Sequence, residues 1–239
     1  MTQRSFSFLI ISTVAACRIL HADEDPKAIL AKAFDTYQSL KSYDFEGKSV
    51  TETTIAGKTT RTEVDFVVAY HAPDKLRLEL RYPTAGNWLR VSDGEFMLVS
   101  RSLTKESRRA PITDRSIETL NSSPVYSLQR IGESAENPVL EKSETIEAGG
   151  RHLDCHVIQF AVHRQELRPG ESSGKSTVWV DKKSGLIVRQ EIRTSATSGN
   201  EVSEGKRIVM VDNFQLNGDL AEETFSTKPH HGQAASNRK

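Results

Sequence analysis

Most of this 239-residue chain consists of short segments in which apolar and polar residues alternate, from Tyr43 to Leu216. The alternation is cleanest in residues 75–82, where four apolar side chains alternate with four charged ones. Successive side chains of a β-strand point to opposite faces of the sheet, so a period of two is typical of strands with one buried face. The chain is therefore predicted to be mainly β.

Residues that favour tight turns separate the alternating segments. Examples are Ala56-Gly57-Lys58, Ser92-Asp93-Gly94 and Gly149-Gly150. Short connections place consecutive strands side by side in antiparallel order, so the segments predict a meander. The predicted strands are residues 43–55, 59–71, 75–82, 87–91, 95–100, 139–148, 151–164, 175–181, 186–196 and 204–216.

Two parts of the chain depart from this pattern. Asp25-Pro26 is a helix start signal, and it precedes apolar residues at helical spacing: Ile29, Leu30, Ala33, Phe34, Tyr37 and Leu40. Between residues 110 and 131 the alternation weakens into short helical pieces. The apolar residues of this insert include Ile117, Leu120 and Leu128.

The first residues predict export. Arg4 precedes an apolar run from Phe6 to Ala16, which is typical of a signal peptide and too short for a membrane span. Cleavage after Ala22 would make residues 1–22 the leader and leave a soluble periplasmic protein. Alternatively, residues 1–16 are a lipoprotein signal and Cys17 becomes a lipidated membrane anchor. The sequence is compatible with both interpretations of the N-terminal residues.

Cysteine content, length and charge limit the other possibilities. With either leader Cys155 is the remaining cysteine of the domain, so no internal disulfide is expected, and its strand-like surroundings predict a buried apolar role. About 215 mature residues suffice for one domain, residues 23–229, followed by a disordered tail, residues 230–239. Without Arg4 and Arg18 the chain has 30 basic and 32 acidic residues, interspersed along the strands. This balance excludes a nucleic-acid partner.

Motifs for chemistry are weak. Residues 170–176 resemble a phosphate-binding loop, but the spacing is one residue short and a strand follows where that motif needs a helix. His152, Asp154 and His156 share one face of a predicted strand and could suit a metal, although a hydrated outer face is the favoured interpretation. A Gly-x-Ser-x-Gly elbow is absent. We therefore expect no enzyme, no catalytic residue, no metal and no cofactor.

Several segments together resemble one family. They are the helix end Tyr37-Gln38-Ser39-Leu40-Lys41-Ser42-Tyr43, the strand entry Ala72-Pro73-Asp74-Lys75-Leu76-Arg77, the Ser92-Asp93-Gly94 turn, the run from Val178 to Leu186, and Glu223-Thr224-Phe225-Ser226. This arrangement is similar to the LolA/LolB superfamily of periplasmic lipoprotein carriers, which includes the lipid-sensing domain of RseB-type regulators. The resemblance implies an antiparallel, incompletely closed β-barrel whose concave face holds acyl chains, with helices as plug or lid. The short helical insert would then be the plug or lid, with Ile117, Leu120 and Leu128 as its contact residues.

A curled sheet with one apolar face would enclose a space for a ligand. The residues expected to line it are Phe66, Val68, Leu76, Leu78, Leu80, Trp88, Phe96, Leu98 and Trp179, whereas Arg77 and Arg81 are expected to face solvent. The predicted function is a periplasmic carrier of a lipid or lipoprotein acyl chain. The alternative is a regulatory module that senses envelope lipids and docks on an envelope membrane protein.

Overall fold

The structure, a computed structural model, describes residues 24–113, 124–129, 131, 135–162, 173–198 and 201–228. These residues form one antiparallel sheet with helices packed against it. The strands are β1 Ser42–Ile55, β2 Lys58–His71, β3 Lys75–Tyr82, β4 Gly86–Ser92, β5 Phe96–Arg101, β6 Glu106–Pro111, β7 Glu136–Ala148, β8 Arg151–Ala161, β9 Ser173–Asp181, β10 Ile187–Ser198 and β11 Glu201–Leu216. The helices are α1 Pro26–Ser39, α2 Pro124–Gln129 and a 3-10 helix, Glu222–Phe225.

The sheet consists of two meanders joined at their centre. Its strand order is β6-β5-β4-β3-β2-β1-β11-β10-β9-β8-β7, so the first strand pairs with the last. Tyr43 lies opposite Leu216 and Phe45 opposite Phe214 in this pairing. The ends of the sheet, β6 and β7, do not pair with each other. The predicted fold, an antiparallel and incompletely closed barrel with an N-terminal helix, is confirmed.

The half of the sheet from β11 to β7 is strongly curled. The tip of the β7–β8 hairpin reaches β11, although three strands separate β7 from β11 in the sheet. Arg151 donates to the Asp212 carbonyl oxygen at 3.3 Å, and its guanidinium carbon lies 4.2 Å from the centre of the Phe214 ring. Gly149 has φ +56°, and a Cβ there would collide with the Asp212 carbonyl oxygen, so glycine permits this approach.

Helix α1 begins where the sequence predicted. The Asp25 side chain accepts a hydrogen bond from the Lys27 backbone nitrogen at 3.0 Å, and Pro26 occupies the first turn. Both features satisfy the helix start, where backbone N–H groups lack helical partners. Leu30, Ala33 and Tyr37 form the buried face of the helix.

The two faces of the sheet carry separate apolar clusters. We call the face with Phe45, Val68 and Leu78 the inner face; α1 and α2 pack on it, and it contains most of the main core. The opposite, outer face carries a smaller cluster of Ala69, Val91, Leu98 and Phe225. Because Phe225 belongs to the 3-10 helix, this short element covers the outer face of β2, β4 and β5.

Several sequence predictions can be compared with these elements. Each predicted strand is present, within a few residues, in the described part of the chain. Strand β6 and the 3-10 helix were not predicted. The leader, the lid residues Ile117 and Leu120, Gly170 and the predicted tail, residues 230–239, lie outside the described residues. Within those residues, no helix has the length and hydropathy needed to cross a bilayer.

Candidate ligand-binding surface

Side chains fill the inner face where the two helices cover it. α1 packs against β7 and β9, and α2 packs against β10. Tyr37 donates from its hydroxyl to the Ile187 carbonyl oxygen at 3.1 Å, and Gln129 donates from its amide to the Tyr43 hydroxyl at 2.8 Å. Burial raises the pKa of both tyrosines, so the two hydroxyls stay neutral. Here the interior is a packed core.

An aromatic cluster fixes the boundary of this filled half. Tyr43 and Phe45 stack with ring centres 4.6 Å apart, and Tyr43 also stacks on Tyr70 at 5.1 Å. Phe45 meets both Tyr37 and Phe214 edge-on at 6.4 Å. These contacts tie α1 to the centre of the sheet, because the rings come from α1, β1, β2 and β11.

The inner face of β3, β4 and β5 is less covered. Residues directly opposite each other in an antiparallel pair share a face, so the strand register identifies its members. Leu80 lies opposite Trp88, and Trp88 opposite Arg101. Leu78 lies opposite Arg90, and Arg90 opposite Val99. We call Leu80, Trp88, Arg90, Val99 and Arg101 the open inner surface.

Leu80, Trp88, Arg90 and Val99 are partly exposed and Arg101 is exposed, in contrast to the core beside them. Leu78, two residues before Leu80 and on the same face of β3, is 1% exposed. Trp88 is held between Tyr82, whose ring centre lies 5.3 Å away, and Arg101, whose guanidinium carbon lies 4.9 Å from the Trp88 ring centre. The surface thus combines a buried apolar floor with an accessible aromatic ring and two cations.

The predicted lining residues fall into three groups. Phe66, Val68 and Leu78 are buried on the inner face, while Leu76, Leu80 and Trp88 are partly exposed on the same face. Leu98 is opposite Val91 on β4, and Val91 is opposite Arg77 on β3. Leu98 and Phe96 therefore lie on the outer face, and they cannot line the same space as Leu78.

Trp179 is also on the outer face. It lies opposite Arg189, and across the sheet Arg189 lies opposite Met210, Met210 opposite Lys48 and Lys48 opposite Asp65. Asp65 precedes the inner-face residue Phe66 on β2, so the side chains of this row point to the outer face. The guanidinium carbon of Arg189 lies 4.4 Å from the centre of the Trp179 ring.

The predicted lid residue Leu128 is fully buried against the core. Sequence reasoning did not single out Arg90, although alternation along β4 places it on the same face as Trp88. It also did not single out Val99 or Arg101, whose face depends on the register of the β4–β5 hairpin.

The arginines of the outer face form ion pairs. Arg77 and Arg81 contact the two oxygens of Glu79 at 3.0 and 2.9 Å. Although burial opposes the shift, hydrogen bonds from these arginines hold the pKa of Glu79 below its usual value. On the inner face, Arg101 reaches Glu106 only at 4.0 Å. On the outer face, Glu79 thus partly neutralises the positive charges of Arg77 and Arg81.

Two surface clefts lie away from the open inner surface. One, of about 380 Å³, runs beside the 3-10 helix, where Lys75 pairs with Glu222 at 2.7 Å and Arg109 stacks on Phe96 at 3.4 Å. The other, of about 290 Å³, lies at the start of α1, where His156 contacts Glu24 at 3.2 Å. Charged side chains make up much of both linings, so neither cleft matches the predicted apolar space.

The groups considered for chemistry have structural contacts. Asp154 pairs with Lys182 at 3.4 Å. Within the described ranges, no three His, Cys, Asp or Glu side chains are placed to hold a metal ion. Cys155 is fully buried, and burial together with nearby carboxylates raises the pKa of its thiol to about 12. A thiol in such surroundings stays protonated and unreactive at neutral pH.

No family model and no curated protein match this sequence. Several solved structures are similar to this protein. A DUF1329 family protein from Desulfovibrio piger is 14% identical, with 85% of this chain and 98% of that chain covered and a TM-score of 0.35. The Pseudomonas aeruginosa MucA/MucB complex is 14% identical, with 85% of this chain covered and a TM-score of 0.44; this chain spans 61% of that one.

A LolA superfamily protein from Nitrosomonas europaea is 13% identical, with 84% of this chain and 97% of that chain covered and a TM-score of 0.32. Because the identities are this low and the TM-scores lie below 0.5, the function proposed below rests on the residues of this chain. A structure of the superfamily that the sequence resembles is among those similar to this protein.

Proposed function

We propose that this protein is an exported carrier that holds a lipid or lipoprotein acyl chain on its open inner surface. The observation that carries the proposal is the partial exposure of Leu80, Trp88 and Val99 on the inner face of a curled sheet. A carrier needs apolar side chains that are accessible to a ligand and belong to a concave surface. Leu80, Trp88 and Val99 on β3–β5 supply such accessible apolar side chains.

Transfer of hydrocarbon from water supplies the binding energy. Each methylene that leaves water contributes about 0.8 kcal/mol, so about ten methylenes contribute about 8 kcal/mol before the costs of association. Trp88 adds a flat aromatic face on which a chain can lie. Export is part of the proposal, since the leader pattern of residues 1–22 or the alternative anchor Cys17 would deliver the domain to the periplasm.

Native mass spectrometry tests the carrier directly. Protein incubated with phospholipid vesicles and separated from them is expected to carry one lipid mass per chain. After mixing with fresh vesicles, the lipid is expected to pass to the new membranes, as transfer requires. Protein that stays free of lipid throughout would refute the carrier function.

A second candidate is the regulatory module, and the filled half of the inner face favours it. Helices α1 and α2 pack there on a core of buried side chains, so the volume left for a ligand is smaller than in an empty barrel. A module of this kind would be recovered crosslinked to an envelope membrane protein. It would also bind lipid without moving it between vesicles, which separates it from a carrier.

A further inference from the structure

A buried pair of polar side chains lies on the inner face of β9 and β10. The Gln190 amide donates to the Ser176 hydroxyl at 3.1 Å, and the two residues are only 4% and 1% exposed. Gln190 lies opposite Val178 on β9 and Val209 on β11. Ser176 lies opposite Phe160 on β8. These neighbours across the strands are all buried and apolar.

The pair leaves one hydrogen-bonding atom of Gln190 without a partner. Within the part of the chain that the structure describes, no group donates to the buried Gln190 Oε1. A serine hydroxyl can donate or accept, so turning the amide over would satisfy Oε1 and leave Nε2 without a partner instead. Such an atom raises the free energy of the folded protein, and buried polar groups normally have partners. The exception indicates a partner from outside the chain.

Gln190 lies where the packed core meets accessible surface. Its neighbour Val209 is opposite Ser49 on β1, and Ser49 is opposite Val64 on β2. Val64 is two residues before Phe66, so this row belongs to the inner face. Ser49 and Val64 are partly exposed. The row therefore leads from the accessible surface to the buried amide.

The same row adjoins the open inner surface. Phe66 is opposite Leu80, so Val64 is one inward-facing position away from the row that contains Leu80 and Trp88. Four strand spacings separate β3 from β10 in the sheet order. At about 4.8 Å each, they amount to about 19 Å. An extended long acyl chain covers a distance of this order, so one lipid can reach from Trp88 to Gln190.

We infer that Gln190 and Ser176 form a polar subsite that binds an uncharged hydroxyl group of the lipid, while the acyl chain lies along Leu80 and Trp88. This inference rests on the proposed function and adds the ligand class, a neutral lipid with free hydroxyl groups. A hydroxyl suits either orientation of the amide, because it both donates and accepts. Few, well-placed polar groups in an apolar site are the usual means of orienting a ligand. Arg207, on the same face of β11, already interacts with another group, whereas the amide has an unused hydrogen-bonding atom.

The test is a competition between two lipids that share an acyl chain. Vesicles of phosphatidylcholine contain equal amounts of monoolein, which has free hydroxyl groups, and methyl oleate, which has none. Protein is incubated with the vesicles and separated from them, and native mass spectrometry identifies the bound lipids by mass. We expect the ratio of bound monoolein to bound methyl oleate to be about tenfold higher for wild-type protein than for Gln190→Leu, equivalent to about 1.4 kcal/mol.

A double variant separates a ligand-binding role from a structural one. Gln190→Leu combined with Ser176→Ala removes both buried polar side chains, so it is expected to unfold at the same or a higher urea concentration than the wild-type protein. It is also expected to lose the preference for monoolein. A lower urea midpoint with an unchanged preference would assign the pair a structural role and overturn the subsite.

Gln159→Leu is the matched control. Gln159 lies on β8 opposite Thr177, the neighbour of Ser176 in sequence, so its side chain points to the outer face. This variant is expected to keep the preference. Equal losses of preference in Gln159→Leu and Gln190→Leu would show that the location of the amide is unimportant and overturn the subsite.

The outcomes for the wild-type protein separate this inference from the carrier proposal. Equal binding of monoolein and methyl oleate would overturn the subsite and leave the carrier proposal standing. Retention of phosphatidylcholine alone would have the same meaning. Protein that retains no lipid of any kind would overturn both.

Discussion

Replacing Phe45 by alanine is expected to lower the free energy of unfolding by about 3–5 kcal/mol, the usual cost of removing a fully buried phenylalanine. Phe45 is 1% exposed and contacts rings from α1, β1 and β11. Its loss would leave a cavity where the two meanders and α1 meet. Since a domain of this size is stabilised by about 5–15 kcal/mol, this variant is expected to be close to unfolding. Urea titration followed by circular dichroism measures the change.

Ile55→Ala provides the control for this prediction. Ile55 also belongs to β1 and is also apolar, but it is 51% exposed near the β1–β2 turn. Its truncation is expected to change the free energy of unfolding by less than about 0.5 kcal/mol. Similar losses in the two variants would show that the aromatic cluster is not the centre of the core.

Replacing Leu80 by aspartate is expected to abolish lipid retention while the protein stays folded. Leu80 is partly exposed on the inner face opposite Trp88, so a carboxylate there remains hydrated in the free protein. An acyl chain on this surface would strip the charge of water, at a cost of several kcal/mol. The expected loss of affinity is therefore on the order of a hundredfold or more. Native mass spectrometry after vesicle exposure measures it.

The same substitution at Ile55 is the matched control. Ile55 is 51% exposed at the end of β1, away from the open inner surface on β3–β5. Ile55→Asp is expected to retain lipid like the wild-type protein. Lipid retention by a folded Leu80→Asp variant would exclude Leu80 from the ligand site, and Val99→Asp would then test whether the opposite side of that surface is used.

Local alternation was sufficient to predict the faces of some strands. In β3 the apolar residues occupy every second position, so Leu76, Leu78 and Leu80 had to share a face. The helix could also be predicted from local sequence, because Asp25 and Pro26 mark its start and the spacing of apolar residues marks its buried side. These predictions did not require knowing which strands pair with each other or what the helix packs against.

Hairpin register could not be predicted in the same way. Trp88 and Leu98 were expected to share a face, but four residues connect Ser92 to its partner Met97, and this register places the two side chains on opposite faces. A change of one residue in such a connection exchanges all inward and outward positions of a strand. Alternation within a strand gives no information about that connection.

Other features depend on tertiary contacts. The run Val178-Trp179-Val180 is continuously apolar, so it contains no alternation from which the face of Trp179 could be predicted. Strand β6 is Glu-Ser-Arg-Arg-Ala-Pro, which has little strand propensity and forms an edge because β5 supplies its hydrogen bonds. The pairing of β1 with β11 joins residues about as far apart in sequence as the domain allows, and no turn signals it.

The two tryptophans of this chain allow the most direct test of where a lipid binds, since Trp88 lies on the open inner surface and Trp179 on the outer face. Trp179→Phe leaves Trp88 as the single emitter, and Trp88→Phe leaves Trp179. Bromine atoms on acyl chains quench tryptophan emission only at close contact. We predict that brominated phospholipid strongly quenches Trp88 and leaves Trp179 unchanged; quenching of Trp179 with unchanged Trp88 emission would contradict lipid binding on the inner face.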